Sequence, residues 1–278
     1  MILDGKIVKE KILNDLKEKI ADLNETPSLT VIQIGNNPSS EIYIKQKEKM
    51  ANMIGINFNH IKLDNNINEQ EVINIINNLN EDENVDGILV QLPLPKHLNA
   101  KRIQNTIKYT KDVDGLNDIN IGKLAHNNES LIPCTPMGII KLLEYYNIEV
   151  SGKNVVILGR SDLVGKPLSL LLINRDATVT LCHSKTNNLD FYTKNADILI
   201  VAIGKPNFIN KDNIKENSII IDVGISKLEN GKICGDVDFA SCKDKAKYIT
   251  PVPGGIGQMT VASLGINTYK AHTLNKGK

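Results

Sequence analysis

The chain has 278 residues, with 33 Lys and Arg against 32 Asp and Glu, a net charge of +1, four cysteines and no tryptophan. At ~150 residues per domain this length points to two domains. Hydrophobic residues at 41% and charged residues at 23% exclude a disordered chain, a collagen and a disulfide-stapled miniprotein. The near-neutral charge argues against nucleic acid as the main partner, because phosphate binding needs a basic excess or patch.

The first half alternates helical and extended patterns. Ile7, Val8, Ile12, Leu13, Leu16, Ile20 and Leu23 recur at a helical period over 7–23. Leu29–Ile34 reads as a buried strand ending at Gly35 and Pro38. Ser39–Ile54 reads as a helix capped by Ser39 or Ser40 and stopped by Gly55. Residues 56–63 alternate as a strand, Asn68–Leu79 is helical, and Gly87–Val90 is a short strand running into Gln91-Leu-Pro-Leu-Pro95. Residues 117–130 show no clear element. Pro136–Tyr146 reads as an amphipathic helix leading to a hinge at Ser151-Gly152. A second alternation then begins: strand Asn154–Leu158, helix Val164–Asn174, then strands Thr178–Cys182, Ile198–Ile203 and Ser218–Val223. The Gly- and Pro-rich run Thr250–Gly257 precedes a last helix over about 260–274. Strands separated by helices predict parallel sheets covered on both faces, hence an α/β fold.

The apolar runs Ile198–Ile203 and Leu170–Ile173 fall far short of the ~20 residues that span a bilayer, so no membrane is expected. The first residues lack the pattern of a signal peptide. Cys134, Cys182, Cys234 and Cys242 form no Cys-x-x-Cys pair and read as buried free thiols in a reducing compartment. His60, His97, His126 and His272 have no Glu or Cys at ligand spacing, and no metal is expected.

Val155-Val-Ile-Leu-Gly159-Arg160-Ser161-Asp162-Leu163-Val164-Gly165 reads as strand, tight turn and helix. Glycines there let a backbone approach a pyrophosphate resting on the positive end of a helix. The spelling G-x-S-x-x-x-G departs from the usual dinucleotide fingerprint and also fits an ordinary strand–helix turn. The next strand ends in Cys182-His183-Ser184-Lys185, with no acid to hold a ribose 2′-hydroxyl, and Asp176 precedes that strand. Arg160, Ser161, Ser184 and Lys185 could instead bind a 2′-phosphate, which favours NADP over NAD. Read as solvated loop residues, Ser184 and Lys185 would carry no such meaning. Tyr43 and Lys47 lie four apart on one helix face. The Lys111-Asp-Val-Asp-Gly115 turn is, by itself, simple Asp/Gly turn chemistry.

Taken together, Tyr43-x-x-x-Lys47, Val90-Gln-Leu-Pro-Leu-Pro95, Lys111-Asp-Val-Asp-Gly115, Pro133-Cys-Thr-Pro136, Gly159-Arg-Ser161, Cys182-His-Ser-Lys185, Val223-Gly-Ile225 and Thr250-Pro-Val-Pro-Gly-Gly255 resemble the bifunctional methylenetetrahydrofolate dehydrogenase/methenyltetrahydrofolate cyclohydrolase family over nearly the whole chain. One departure stands out: Gly257-Gln258-Met259-Thr260 replaces the family's usual Gly-Pro-Met-Thr. Loss of that proline is expected to free the backbone there and to alter substrate affinity.

The resemblance implies NADP-dependent oxidation of 5,10-methylenetetrahydrofolate to 5,10-methenyltetrahydrofolate, then hydrolysis to 10-formyltetrahydrofolate. It implies two α/β domains flanking a cleft: residues 1–140 with 254–278 as the folate-binding and catalytic domain, and 141–253 as a Rossmann-like NADP-binding domain. Lys47 would manage the protons, its ammonium disfavoured beside a cationic substrate. Gln91 would orient and hydrogen-bond Lys47, Tyr43 would stack on or position the pterin-like ring and Asp114 would hold its amino and ring nitrogens. Gly159, Arg160, Ser161, Ser184 and Ile225 would contact NADP, and Pro253, Gly254 and Gly255 would line the cleft beside substrate. His183 is expected only to pack beside the cofactor strand. A cytoplasmic homodimer acting on tetrahydrofolate derivatives, with no nucleic acid and no membrane, completes the expectation.

Overall fold

A computed structural model describes residues 1–228 and 230–276, with the Ser39 side chain outside the described set. The chain forms two compact units. One comprises Glu10–Cys134 with Val261 onward, and the other Met1–Lys9 with Thr135–Thr260.

In chain order the elements are α1 (Gly5–Ala21), β1 (Ser28–Ile34), α2 (Pro38–Ile54), β2 (Asn57–Leu63), α3 (Glu69–Glu81), β3 (Gly87–Val90), α4 (Ala100–Thr106), α5 (Asp118–Ala125) and α6 (Cys134–Tyr145). They continue with β4 (Asn154–Leu158), α7 (Gly165–Ile173), β5 (Thr178–Cys182), α8 (Leu189–Thr193), β6 (Ile198–Val201), β7 (Ile219–Asp222), β8 (Ser226–Lys227), β9 (Ile233–Cys234), α9 (Phe239–Cys242), β10 (Tyr248–Ile249) and α10 (Ile256–Lys276).

The first unit is built on a parallel sheet ordered β2-β1-β3. Central β1 is buried from Leu29 to Ile34, its polar Thr30 and Gln33 included, because both of its faces are covered. Leu29 and Val31 pack with Leu13, Leu16 and Ile20 of α1, Ile44 and Ile54 of α2, and Val261, Leu264 and Ala271 of α10. Ile32 and Ile34 face the other way, onto Val72 and Ile76 of α3 and Ile103 of α4. Helix α2 starts one residue before the expected Ser39. Asn37 is its cap, accepting the Ser40 backbone N–H at 3.2 Å, and Pro38 occupies the first helical position, where a missing N–H costs nothing. The expected cap by Ser39 lies outside the described residues, and the Ser40 hydroxyl instead donates to the Leu92 carbonyl at 3.4 Å.

Helix α5 corrects the expectation of an elementless stretch. Asn117 caps it by accepting the Ile119 N–H at 2.8 Å, and its buried face includes Asn120, whose amide donates to the Tyr109 carbonyl at 2.9 Å. A core-facing asparagine breaks the apolar period, which is why pattern reading passes over this helix. His272 is a core residue, its Nδ1 lying 3.1 Å from Asp86 Oδ2.

The second unit carries a parallel sheet ordered β10-β7-β6-β4-β5, the Rossmann-like arrangement expected. Val156, Leu158, Leu199, Val201 and Ile220 build one core face with Ala196, Ile209, Val237 and Cys242. The short α8, α9 and β10 and the antiparallel β8–β9 pair carry too few residues to show a period. The chain start belongs to this unit because it pairs with the sheet: Leu3 N–H donates to the Ile249 carbonyl at 2.9 Å, and Ile249 N–H to Met1 at 3.1 Å. The compact units therefore differ from a division at residues 140 and 254 by three short segments, 1–9, 135–140 and 254–260.

Gln258 does not free its backbone. Helix α10 begins at Ile256, earlier than expected. The Gln258 N–H donates to the Gly255 carbonyl at 3.1 Å, and its side-chain oxygen accepts Lys9 Nζ at 2.6 Å. All four cysteines are free, but Cys234 is only half-buried.

Candidate active site and nucleotide cradle

In the first unit, β1 and β3 end at the carboxyl edge of a parallel sheet, where α/β folds place ligands. Gln91 extends β3 by donating its N–H to the Ile32 carbonyl at 2.8 Å. Its side-chain amide donates to the Leu92 carbonyl at 2.7 Å, which leaves Oε1 facing α2. Lys47 Nζ donates to that oxygen at 2.7 Å. Burial, the dominant effect, lowers the Lys47 pKa, and the nearby Asp114 carboxylate raises it in part. The cause is thus removal from water, where the sequence reading invoked a cationic substrate. Tyr43, one turn before Lys47 on α2, remains exposed.

The Lys111–Gly115 turn divides its labour. Lys111 is buried and donates to the Leu79 and Asp82 carbonyls at 3.0 and 2.7 Å. Asp112 accepts the Gly115 N–H at 3.1 Å, the Asn117 N–H at 2.7 Å and the Asn120 amide at 3.1 Å. Burial nonetheless pushes its carboxyl up to about 6. Gly115 has φ +74°, and a side chain there would overlap the Ile132–Pro133 backbone, so only glycine fits. This scaffold is built without the Asp114 carboxyl. Burial raises the Asp114 pKa, opposed by the charge of Lys47 and a hydrogen bond from Cys134.

Two residues of this site were not assigned roles from sequence. The Cys134 thiol donates to the Val113 carbonyl at 3.3 Å and its pKa is raised well above the ordinary value by burial. Asn267, on α10, donates to the Val113 and Ile132 carbonyls at 2.9 and 2.7 Å. Cys134 lies within the Pro133-Cys-Thr-Pro136 segment, whereas nothing local marks Asn267.

In the second unit, β4 lies between β5 and β6, so the chain reverses its winding direction there, the switch point at which such sheets bind ligands. A cavity of about 330 Å³ opens at that edge, its lining including Gly159, Arg160, Ser161, Ser184, Ile203 and Lys205. Gly159 has φ +115°, and a Cβ on it would overlap the Ala202 carbonyl oxygen. A Cβ on Gly165 would overlap the Gly159 carbonyl oxygen. The Ser161 hydroxyl accepts the Val164 N–H at 3.2 Å. His183 does more than pack: its Nδ1 accepts the Lys185 N–H at 3.1 Å. Thr186 Oγ1 accepts the His183 N–H at 2.9 Å, and together they present Ser184 at the tip of a closed turn. Lys185 is exposed and absent from the cavity lining. Lys205 lines the cavity without having been singled out in the sequence.

Ile225 follows β7 and is half-exposed. Pro253–Gly255 belong to this second unit, where the Gly5 N–H donates to the Gly254 carbonyl at 2.9 Å. The structure thus brings Lys47, Gln91, Asp114 and Cys134 together in one unit, and Gly159, Arg160, Ser161 and Ser184 around one cavity in the other. Among the described residues no group of three His, Cys, Asp or Glu could hold a metal ion, and no helix is long and apolar enough to cross a membrane.

Comparison with known proteins agrees with this geometry. The tetrahydrofolate dehydrogenase/cyclohydrolase catalytic domain matches residues 3–114, and the NAD(P)-binding domain of the same family matches residues 133–276. The Bifunctional protein FolD of Bacillus subtilis is 48% identical over 273 residues, covering 97% of this chain and 96% of that protein. The crystal structure of the FolD methylenetetrahydrofolate dehydrogenase/cyclohydrolase from Campylobacter jejuni is 47% identical. It superposes with a TM-score of 0.97 over 99% of both chains. The Trypanosoma brucei FolD structure, complexed with NADP cofactor and inhibitor, is 35% identical, with a TM-score of 0.93 over 99% of this chain and 97% of that one. With both halves matched and the Lys47–Gln91–Asp114 group assembled, this chain belongs to the tetrahydrofolate dehydrogenase/cyclohydrolase family.

Proposed function

We propose that the enzyme oxidises 5,10-methylenetetrahydrofolate with NADP and hydrolyses the resulting 5,10-methenyltetrahydrofolate to 10-formyltetrahydrofolate. The observation that carries this reading is the Lys47–Gln91 contact of 2.7 Å, with Asp114 close enough to shift the lysine's titration.

The cavity edged by Gly159 and Gly165 fits the cofactor, since a Cβ on either residue would fill the turn that must approach a pyrophosphate. Gly159, Arg160, Ser161 and Ser184 hold its phosphates and Ile225 meets it by backbone. NADP, when bound, supplies the hydride acceptor. The absence of an acid after β5, together with Arg160, favours the 2′-phosphorylated form.

Hydrolysis adds water to the cationic methenyl carbon and opens the five-membered ring. The attacking water gives up two protons: one ends on the departing ring nitrogen and the other leaves to solvent, because a cation becomes a neutral product. Lys47, its ammonium form disfavoured by burial, takes protons from the water and delivers one to the ring nitrogen at Nζ. Gln91 fixes the direction of Nζ through Oε1, which its own bond to Leu92 keeps turned toward the lysine. Asp114 holds the pterin amino and ring nitrogens by charge-assisted hydrogen bonds, Tyr43 stacks on the ring, and Pro253, Gly254 and Gly255 contact substrate. In this reading residues 1–140 with 254–278 serve folate and 141–253 serve NADP, in a cytoplasmic homodimer.

A spectrophotometric assay tests it. Methylenetetrahydrofolate with NADP should give the methenyl absorbance, which should then decay in the same cuvette. Reduction of NAD at the same rate as NADP would overturn the phosphate roles of Arg160 and Ser184.

A further inference from the structure

Beyond the residues that meet the ligands, two buried carboxylates sit behind the nucleotide cavity. Asp222, the last residue of β7, and Asp236, just after β9, are 3% and 0% exposed. Neither has a cationic partner in its hydrogen bonds; both are spent on backbone. Asp236 Oδ2 accepts two successive N–H groups, Ile203 at 2.7 Å and Gly204 at 2.9 Å. Asp222 Oδ1 accepts Gly224 and Asp236, each at 3.0 Å, and its Oδ2 accepts Val237 at 2.9 Å. Thr250 joins them, its hydroxyl accepting the Asp222 N–H at 2.7 Å.

Two side chains thus satisfy five backbone donors from three separate segments. Packing around them is tight enough to dictate sequence: a Cβ on Gly224 would overlap the Asp236 carboxyl, and one on Gly235 would overlap the Asp222 carboxyl. Holding two like charges side by side in low dielectric is unfavourable, and the Asp222 carboxyl is accordingly pushed up to about 6, chiefly by burial. Hydrophobic side chains would fill this space without that cost. What the carboxylates do, and hydrophobic groups would not, is fix the segments after β6 and β7. The first of these carries Ile203 and Lys205 of the cavity wall, and the second leads directly to Ile225.

We propose that Asp222 and Asp236 are positioning residues for the dehydrogenase step: by gripping the Ile203–Gly204 and Gly224 backbones they shape the wall that receives the nicotinamide cofactor. This rests on the reading that the enzyme uses NADP. The two carboxylates differ in a testable way. Asp236 uses one oxygen for both of its acceptances, and its Oδ1 has no hydrogen-bond partner, so an asparagine carbonyl can replace it. Asp222 uses both oxygens, so an asparagine amide must oppose at least one N–H.

The experiment compares Asp222→Asn, Asp236→Asn and Asp236→Ala in the full chain. It reads KM for NADP and kcat of the dehydrogenase, and hydrolysis of added methenyltetrahydrofolate, which needs no redox cofactor. Asp222→Asn and Asp236→Ala should raise KM for NADP roughly tenfold, as expected for one or two unmet buried donors, with kcat and hydrolysis within about threefold. Asp236→Asn should rescue most of the loss in Asp236→Ala. Unchanged KM in Asp222→Asn, or a parallel fall in both activities, would overturn the proposal. The Asp222→Asn against Asp236→Asn contrast decides it even where Asp236→Ala does not fold. Failure of the unsubstituted enzyme to reduce NADP would overturn the underlying reading instead.

Discussion

Lys47 Nζ and Gln91 Oε1 lie 2.7 Å apart, joining the middle of a helix to the end of a strand 44 residues away. The amide is not free to turn, because its nitrogen is committed to the Leu92 carbonyl at 2.7 Å. A lysine held this way can act on a proton at a fixed point, and burial lowers the cost of giving up its own.

Replacing Lys47 with Met keeps length and bulk but removes the amine. Hydrolysis of methenyltetrahydrofolate should fall by roughly 10²–10⁴, the usual contribution of a positioned acid–base group, while NADP reduction stays measurable. Equal survival of both activities in steady-state assays would refute the assignment of Lys47.

Asp114 tempers the effect of burial on Lys47. Its negative charge raises the lysine's pKa against the lowering effect of burial. Removing that charge in Asp114→Asn therefore lowers the Lys47 pKa further, and the acid limb of the hydrolysis pH–rate profile should move to lower pH. The amplitude should fall as well if, as proposed, Asp114 is a charged partner of the substrate. A limb that moves upward would contradict the coupling.

Asp112 offers a stability measurement. Its carboxyl, 3% exposed, titrates at about 6 against an ordinary 3.8. A raised folded-state pKa means the native protein holds the proton longer than the unfolded chain does. Stability from this group is therefore present at low pH and lost as pH rises from about 4 through 6. At 1.36 kcal/mol per pKa unit the span is about 3 kcal/mol. Urea unfolding at pH 5 and pH 7, compared between the native sequence and Asp112→Asn, isolates this slope from that of other groups. An identical pH dependence in the two proteins would rule it out.

Gly159 should tolerate no side chain. Its φ of +115° is strained for any L residue, and a Cβ would overlap the Ala202 carbonyl. Gly159→Ala should weaken NADP binding at least tenfold by fluorescence titration, while hydrolysis of added methenyltetrahydrofolate persists.

Arg160 lines the cavity and is the residue proposed to hold the 2′-phosphate. Arg160→Ala should reduce the preference for NADP over NAD by roughly 10–100-fold, the worth of one or two charge-assisted hydrogen bonds, as read from the ratio of kcat/KM for the two cofactors.

The alternating strands and helices are legible in the residue pattern alone, because most fully buried parallel strands are apolar runs and the flanking helices keep a period of about 3.6 residues. The sequence also placed Tyr43 with Lys47 on one face, and located the Gly159 turn at the end of an apolar strand. Helix α5 stayed hidden because Asn120 on its buried face is held by its amide's bond to the Tyr109 carbonyl, and hydrogen bonding leaves no apolar signature. Long-range folding alone brings Lys47 to Gln91, makes Asp112 the carboxylate that builds the turn, and lets Asn267 steady that turn from far along the chain. Those assignments depend on parallel pairing of distant strands and on burial, which shifts the pKa values of Lys47 and Asp114. Neither effect is local to the residues it governs.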